Sequence, residues 1–112
     1  MLKHEKDVFE KVDALIEAIK TSDIYRNYLA QNSKVESDPE LKRRIDDFRR
    51  ENFEIQQNYQ GDELDKKMDD LEMRYASFRR NPLVDQFLAA ELAFCRLIQE
   101  IENKVESELD FN

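Results

Sequence analysis

The sequence has very few of the residues that form turns, bind metals or cross-link a chain. Its 112 residues include one glycine, two prolines, one cysteine and one histidine. Ordinary proteins contain about 7% glycine and about 5% proline. Because so few turns can be built, the secondary-structure elements must be long.

These scarcities exclude several kinds of functional site. The single cysteine, Cys95, cannot form an internal disulfide or a zinc site of several cysteines within one chain. His4 has no second histidine with which to form a zincin-type motif, so we expect an ordinary surface residue. One glycine cannot form a glycine-rich phosphate loop, and no nucleophile–base pair is visible. The sequence therefore predicts a non-enzymatic protein without cofactor or metal.

Charge and hydropathy limit the location and the partners. No apolar run approaches the roughly 20 residues that span a membrane, and the N-terminus lacks the apolar core of a signal peptide. We therefore expect a cytoplasmic protein that does not contact membranes. A net charge of −8 argues against direct contact with nucleic acid. The acid excess lies in the C-terminal third, which contains only two bases, Arg96 and Lys104. Its seven acids are Asp85, Glu91, Glu100, Glu102, Glu106, Glu108 and Asp110.

What the sequence does contain is typical of long helices. Charged residues make up 39% of the chain and hydrophobic residues 40%, and seven phenylalanines and four tyrosines argue against disorder. We predict one all-α domain over residues 1–112. The chain has little apolar material for an isolated small domain, and oligomerisation would compensate for this.

Five helices are predicted from apolar spacing and end signals. The first runs from about His4 to Lys20, and a short second helix follows a cap at Ser22 and contains Ile24, Tyr25, Tyr28 and Leu29. The polar stretch 31–37 is predicted to be a connection. On the first helix, the residues that share one face are Val8, Val12, Leu15 and Ile19, with Phe9 and Ile16 widening it.

The third helix has the clearest start. Asp38 can cap it and Pro39 suits its first position, while Ser37 and Glu40 offer an alternative capping box. It is predicted to run to about Gln60. Its apolar seam alternates spacings of four and three, as in coiled coils, through Leu41, Ile45, Phe48, Asn52, Ile55 and Tyr59.

The bounds of the last two helices are predicted from one glycine, which marks a helix end, and one proline, which marks a helix start. Gly61 is predicted to end the third helix, and Asp62 to cap a fourth. Asn81 and Pro82 then begin a helix that reaches about Leu109 and spans roughly 42 Å, which predicts an elongated molecule. The apolar spacing of the fourth helix is carried by Leu64, Met68, Leu71, Tyr75 and Phe78.

The last helix has an apolar face too wide for one antiparallel neighbour to cover. This width predicts an oligomer interface, with a homodimer as the expected assembly. The predicted interface consists of a main seam and a second stripe: Val84, Phe87, Glu91, Phe94, Ile98, Ile101 and Val105, with Leu88, Leu92 and Cys95 beside them.

Some residues allow two interpretations. Asn52 and Glu91 interrupt apolar seams, where a polar residue can fix register, although a buried carboxylate can also be an acid/base group or metal ligand. The Glu-x-x-His pairs of di-iron bundles are absent. Cys95 is predicted to be buried and inert, the alternative being a reactive thiol.

The basic clusters also have two interpretations. They are Lys42-Arg43-Arg44, Arg49-Arg50 and Arg79-Arg80. Acids at Asp46, Asp47, Glu51 and Glu54 are interleaved with them, which predicts ion pairs along a solvated helix face. The alternative is an RNA-binding accessory protein that uses these arginines.

Three stretches together resemble the YlbF/YmcA control-of-competence family of bacterial cytoplasmic regulators. They are residues 22–28, the start of the third helix at 38–49, and residues 81–98 of the last helix. The resemblance covers about residues 5–106. It implies an all-helical fold dominated by a long helical hairpin, commonly an intertwined homodimer, and a non-catalytic regulatory role.

The resemblance also implies partners. Family members act in competence, sporulation and biofilm development, and some join a ternary complex that modulates an endoribonuclease and mRNA maturation. Members that hold iron–sulfur clusters carry cysteines in an extension after the helices, whereas this sequence has none after Cys95. No cluster is therefore expected, and participation in that complex is left open.

Overall fold

The structure, a computed structural model, describes residues 5–109, which form six α-helices and no β-strand. The predicted all-α fold with a long last helix is thereby confirmed. The helices are α1 (Lys6–Lys20), α2 (Asp23–Glu36), α3 (Pro39–Asn58), α4 (Gly61–Arg74), α5 (Ala76–Arg79) and α6 (Pro82–Glu108). His4, where the first helix was predicted to begin, lies outside the described residues, as does Asp110.

The predicted caps at Ser22, Asp38 and Asn81 are confirmed. The Tyr25 amide donates to Ser22 Oγ at 3.2 Å, and the Leu41 amide donates to Asp38 Oδ1 at 3.1 Å. Asn81 Oδ1 accepts from the Leu83 amide at 3.0 Å. Such bonds satisfy donors that the first helical turn leaves unpaired.

The alternative capping box at Ser37 is not formed. Ser37 Oγ instead donates to the Lys34 carbonyl oxygen at 2.7 Å, within the end of the preceding helix.

The predicted connection over residues 31–37 is wrong. Helix α2 continues to Glu36, and both Gln31 and Val35 are buried. The reason is visible in the spacing, because Tyr28, Gln31 and Val35 follow one another at three and four residues and so share one helix face. Because the Gln31 side chain is polar, the sequence places it in the predicted connection, whereas its position belongs to the core.

The predicted cap at Asp62 is also wrong, because α4 begins one residue earlier, at Gly61. Gly61 has φ +58°, the left-handed conformation that glycine adopts readily. It lies two residues beyond the Tyr59 cap of α3 and joins the two helices across a short extended link.

The single fourth helix predicted to reach Phe78 is broken at Tyr75. There the backbone leaves helical geometry (φ −103°, ψ 10°), and the chain resumes as the short α5. The break accompanies a cluster of three rings, with centroid separations of 5.1 Å for Phe48–Tyr75, 5.6 Å for Tyr75–Phe78 and 6.3 Å for Phe48–Phe78.

The chain divides into two compact units. Unit 1 comprises Met1–Ala30 with Ala90–Asn112, and unit 2 comprises Gln31–Ala89. Helices α2 and α6 contribute residues to both. Unit 2 contains a conventional hydrophobic core, whose buried members are Val35, Leu41, Ile45, Phe48, Leu71, Phe78, Val84 and Phe87. Each such side chain stabilises the fold by about 1.5–3 kcal/mol.

Unit 1 has almost no core of its own. Among its described residues only Ala90 is a buried hydrophobic residue. Its main internal contact is aromatic: the ring of Phe94 lies 5.2 Å from the rings of both Tyr25 and Tyr28, all three half-buried.

Candidate functional site

Helix α1 presents an apolar stripe that remains about half exposed within residues 5–109. No residue of α1 is buried. Val8, Phe9, Val12 and Ile16 lie on adjacent turns and are between 41% and 58% exposed. The amphipathic pattern that formed this helix is therefore present, but the core that such a pattern normally serves is missing. We refer to these four residues as the α1 stripe.

The contrast with unit 2 shows that this exposure is a local property. In unit 2 only Phe53 and Met73 are exposed large hydrophobic residues. Unit 1 adds five more to the α1 stripe and Leu15: Ile24, Leu29, Leu92, Val105 and Leu109. Isolated exposed apolar residues are common, but a concentration of them marks a surface used for interaction.

A groove lies along the end of α6. It is lined by Leu15 of α1 and by Ile101, Lys104, Val105, Glu108 and Leu109, and encloses about 410 Å³. We call these six residues the α6 groove. Val105 is 51% and Leu109 70% exposed, so the apolar floor is open to solvent. Lys104 and Glu108 form an ion pair at 3.4 Å on its edge.

The structure separates the residues predicted to form the oligomer interface. Val84 and Phe87 are buried in unit 2, at 0% and 3% exposure, and therefore serve the core of their own chain. The half-buried members are Leu88, Glu91, Phe94, Ile98 and Ile101, and the exposed ones are Leu92, Cys95 and Val105. The exposed group is open to solvent, and the predicted interface itself stays a prediction.

Cys95 corrects one prediction. It is exposed, not buried, because it lies on the side of α6 that no other described helix covers. Its neighbours Phe94, Ile98, Gln99 and Glu102 line a shallow surface depression of about 400 Å³. No basic group is among these lining residues, so the geometry supplies nothing that would activate the thiol.

The α1 stripe was missed as a site by sequence reasoning. The spacing of Val8, Val12, Leu15 and Ile19 identified the face, but the pattern does not say what covers it. A signal was nevertheless available. The chain has few apolar residues and two strongly amphipathic ends, so one of them had to remain without a core.

Five of the seven residues in the basic clusters of unit 2 contact acids or rings. Arg50 pairs with Asp47 at 3.1 Å and Arg49 with Asp46 at 3.7 Å, which confirms the predicted ion pairs along α3. Lys42 binds Glu36 of α2 at 2.8 Å.

Three arginines of these clusters also lie over aromatic rings. The guanidinium carbons of Arg44, Arg49 and Arg79 lie 4.9–5.4 Å from ring centroids of Phe78, Phe87 and Phe48. These contacts pack the arginine stems over the core of unit 2. RNA binding through the clusters stays a prediction, and their geometry does not favour it.

Glu51 connects α3 to the end of α4. Its carboxylate accepts hydrogen bonds from the Tyr75 hydroxyl and, at 2.8 Å, from Arg74 Nη1, while Arg74 Nε donates to Asp70 at 3.1 Å. The bond from Tyr75, followed by that from Arg74, holds the pKa of the Glu51 carboxyl below its ordinary value. The same bond raises the pKa of Tyr75. The arrangement is a structural clamp at the helix break.

A polar groove beside this clamp offers no recognisable chemistry. It encloses about 260 Å³ and contains both acids and bases, with Lys67 Nζ 5.1 Å from the Tyr59 ring. Its lining residues are Glu51, Glu54, Ile55, Asn58, Tyr59, Lys67, Asp70 and Arg74. Across the described residues no group of histidine, cysteine and acidic side chains could hold a metal ion. None of the described helices is long and apolar enough to cross a membrane.

Comparison with known proteins identifies the family. The family model described as "Control of competence regulator ComK, YlbF/YmcA" matches residues 8–110. The chain belongs to this family, so the resemblance found in the three sequence stretches is confirmed. The family's description as a regulator is consistent with a regulatory role for this chain.

Individual relatives are similar over nearly the whole chain. A UPF0342 protein of Caldicellulosiruptor bescii is 27% identical over 95% of this chain and 91% of its own length. A UPF0342 protein of Desulfitobacterium hafniense is 31% identical over 85% of this chain and 78% of its own. No solved structure gives a significant match.

Proposed function

We propose that this member of the control-of-competence regulator family is a non-catalytic cytoplasmic regulator that acts through helix–helix contacts with other protein chains. The first of these chains is a second copy of itself, which gives a homodimer. The observation that carries the proposal is the α1 stripe, an amphipathic helix face without a core.

The energy available at the stripe is of the right order for self-association. Covering the exposed half of its four side chains would contribute about 4 kcal/mol per copy, or about 8 kcal/mol when two stripes meet. Loss of translational and rotational freedom on association costs about 4–15 kcal/mol. Leu92, half exposed on α6, and the neighbouring Phe94 and Ile98 add further apolar area to the surface of unit 1.

The charges of α1 are compatible with a second copy. Lys6 pairs with Glu10 at 4.0 Å and Lys20 with Glu17 at 3.8 Å, so much of the charge beside the stripe is balanced within the helix. Two such helices can approach without strong repulsion.

Further partners are proposed from the family. Regulators of competence, sporulation and biofilm development act on other regulatory proteins, and an endoribonuclease complex is the partner that the family resemblance favours. The acidic surface of the chain agrees with contacts to protein and not directly to nucleic acid. Affinity purification from the native host, with partners identified by mass, would test this part of the proposal.

Light scattering coupled to size-exclusion chromatography tests self-association. The wild-type chain should elute with the mass of a dimer. Val12→Asp should elute as a folded monomer, because burying an unpaired charge at the centre of the dimer contact is costly. The matched control is Met73→Asp, which places the same charge on an exposed apolar residue of unit 2. A wild-type monomer at micromolar concentration would refute the proposed dimer.

A further inference from the structure

The end of α6 carries negative charge that the described part of the chain does not neutralise. Residues 100–108 contain Glu100, Glu102, Glu106 and Glu108 but only one base, Lys104. Lys104 pairs with Glu108 at 3.4 Å. Glu102 and Glu106 form no ion pair with another described residue. They lie one turn apart and follow one side of the apolar line of Ile101, Val105 and Leu109 on the helix surface.

A second copy of the chain does not supply the missing positive charge. Unit 1 has eleven acids and six bases among its described residues, and unit 2 has fourteen acids and eleven bases. Both units of a second copy are therefore net negative, and five of the seven arginines of unit 2 already contact acids or rings. The α6 end thus differs from α1, whose charges are nearly balanced. Charge complementarity at this groove requires a basic partner.

The shape of the groove specifies a helical partner. Its apolar floor repeats every four residues, from Ile101 to Val105 to Leu109, over a rise of about 12 Å. A partner helix with apolar residues at positions i, i+3 or i+4, and i+7 would match this repeat. An extended partner would need an unpaired strand edge, and the described residues form helices only.

We propose that the α6 groove binds an amphipathic helix of another protein, with lysines or arginines flanking its apolar face. The apolar side of that helix covers Leu15, Val105 and Leu109, and its basic residues pair with Glu102 and Glu106. This deepens the proposed function, since it names the chemistry of one partner. Its residues differ from those of the α1 stripe that a second copy covers, although Leu15 lies on the same face of α1 as Val8 and Val12.

Synthetic peptides of about 18 residues, long enough to fold as helices on binding, provide the probe. The first consists of leucine and lysine, with leucine at helical spacing. The second has the same composition in scrambled order, and the third has glutamate in place of lysine. Fluorescence anisotropy with the full chain should show the first peptide binding at least about tenfold more tightly than either control, a difference of about 1.4 kcal/mol.

Matched variants locate the binding site. Glu102→Gln with Glu106→Gln should weaken the first peptide about fivefold, as expected for two exposed ion pairs. Glu63→Gln with Asp65→Asn neutralises two exposed acids of unit 2 and should change its affinity less than about twofold. Equal weakening by both pairs, or equal binding of the scrambled peptide, would overturn the proposal by showing general charge attraction.

Light scattering on the same variants separates this proposal from the dimer. Glu102→Gln with Glu106→Gln should retain the dimer mass, and monomeric Val12→Asp should retain peptide binding. If Val105→Asp instead produces monomers and no peptide binds the wild-type chain, a second copy occupies the groove and the proposal is wrong. Peptide binding by a wild-type chain that is itself monomeric would refute the dimer and leave the groove proposal standing.

Discussion

Two isoleucines provide the most direct test of whether α1 lacks a core. Ile45 on α3 is 1% exposed, whereas Ile16 on α1 is 42% exposed. Replacing either with alanine removes the same three carbon atoms, worth about 2.4 kcal/mol when fully buried. At position 45 the cavity left behind adds to this loss, so Ile45→Ala should lower the free energy of unfolding by about 3–4 kcal/mol.

At position 16 the same change should cost much less. Only the covered part of the side chain loses burial, which is about 1.4 kcal/mol, and no closed cavity forms. The higher helix propensity of alanine returns about 0.4 kcal/mol. Ile16→Ala should therefore cost about 1 kcal/mol in the isolated chain.

Urea unfolding at two protein concentrations, about 1 μM and about 100 μM, measures both costs. If a second copy covers the α1 stripe, the cost of Ile16→Ala rises with protein concentration, because the variant also loses dimer contacts. The loss in free energy of unfolding caused by Ile45→Ala should be nearly the same at both protein concentrations. A cost at Ile16 equal to that at Ile45, measured where the chain is monomeric, would refute the reasoning, since α1 would then be enclosed by its own chain.

Three further outcomes are expected. Gly61→Ala should destabilise the chain by about 1 kcal/mol, because φ +58° strains an L-residue although nothing lies within 4 Å of the added methyl group; an unchanged melting temperature would contradict this. Glu51→Gln should destabilise most at neutral pH. The lowered pKa of Glu51 contributes stability above about pH 4.5, and this is lost as the pH falls through the folded-state pKa, so the urea midpoints of variant and wild type should converge in acid. Cys95 should react with a thiol reagent in the folded protein, because its side chain is exposed. If at low protein concentration it reacted as slowly as a buried thiol, the exposure of Cys95 would be contradicted.

The helices themselves could largely be predicted because their signals are local. Asp38 with Pro39, and Asn81 with Pro82, mark helix starts by the chemistry of the first turn, and the structure forms both caps. The apolar spacing of α3 likewise placed Leu41, Ile45 and Phe48 in the core. Each of these features depends on residues within a few positions of one another.

The features that sequence could not predict depend on distant parts of the chain. Gln31 is buried although its amide favours exposure, because neighbouring apolar positions on α2 bring it into the core of unit 2. Tyr75 breaks a helix whose apolar spacing continues without interruption, and its partners Phe48 and Glu51 lie on α3. Local propensity does not contain this information.

The last helix shows the same limit most clearly. One apolar pattern, interrupted only by Glu91, runs along α6, yet Val84 and Phe87 are buried while Leu92 and Val105 are exposed. Periodicity identifies which residues share a face, and only the neighbouring elements decide whether that face is covered. Predicting an interface from the whole seam therefore included two residues of the chain's own core.

The continuity of α2 and α6 explains how these two helices can extend into unit 1 although that unit has almost no core. Both helices begin or end among the buried residues of unit 2 and continue into unit 1 without a break. Forming the first turn of a helix is unfavourable, whereas each further residue adds a hydrogen bond at much lower cost. The core of unit 2 therefore supplies the nucleus for the parts of α2 and α6 that lie in unit 1, whereas α1 is a separate helix with its own start. An apolar surface can in this way stay folded and open until another chain covers it, which is the condition that a regulator acting through helix–helix contacts must meet.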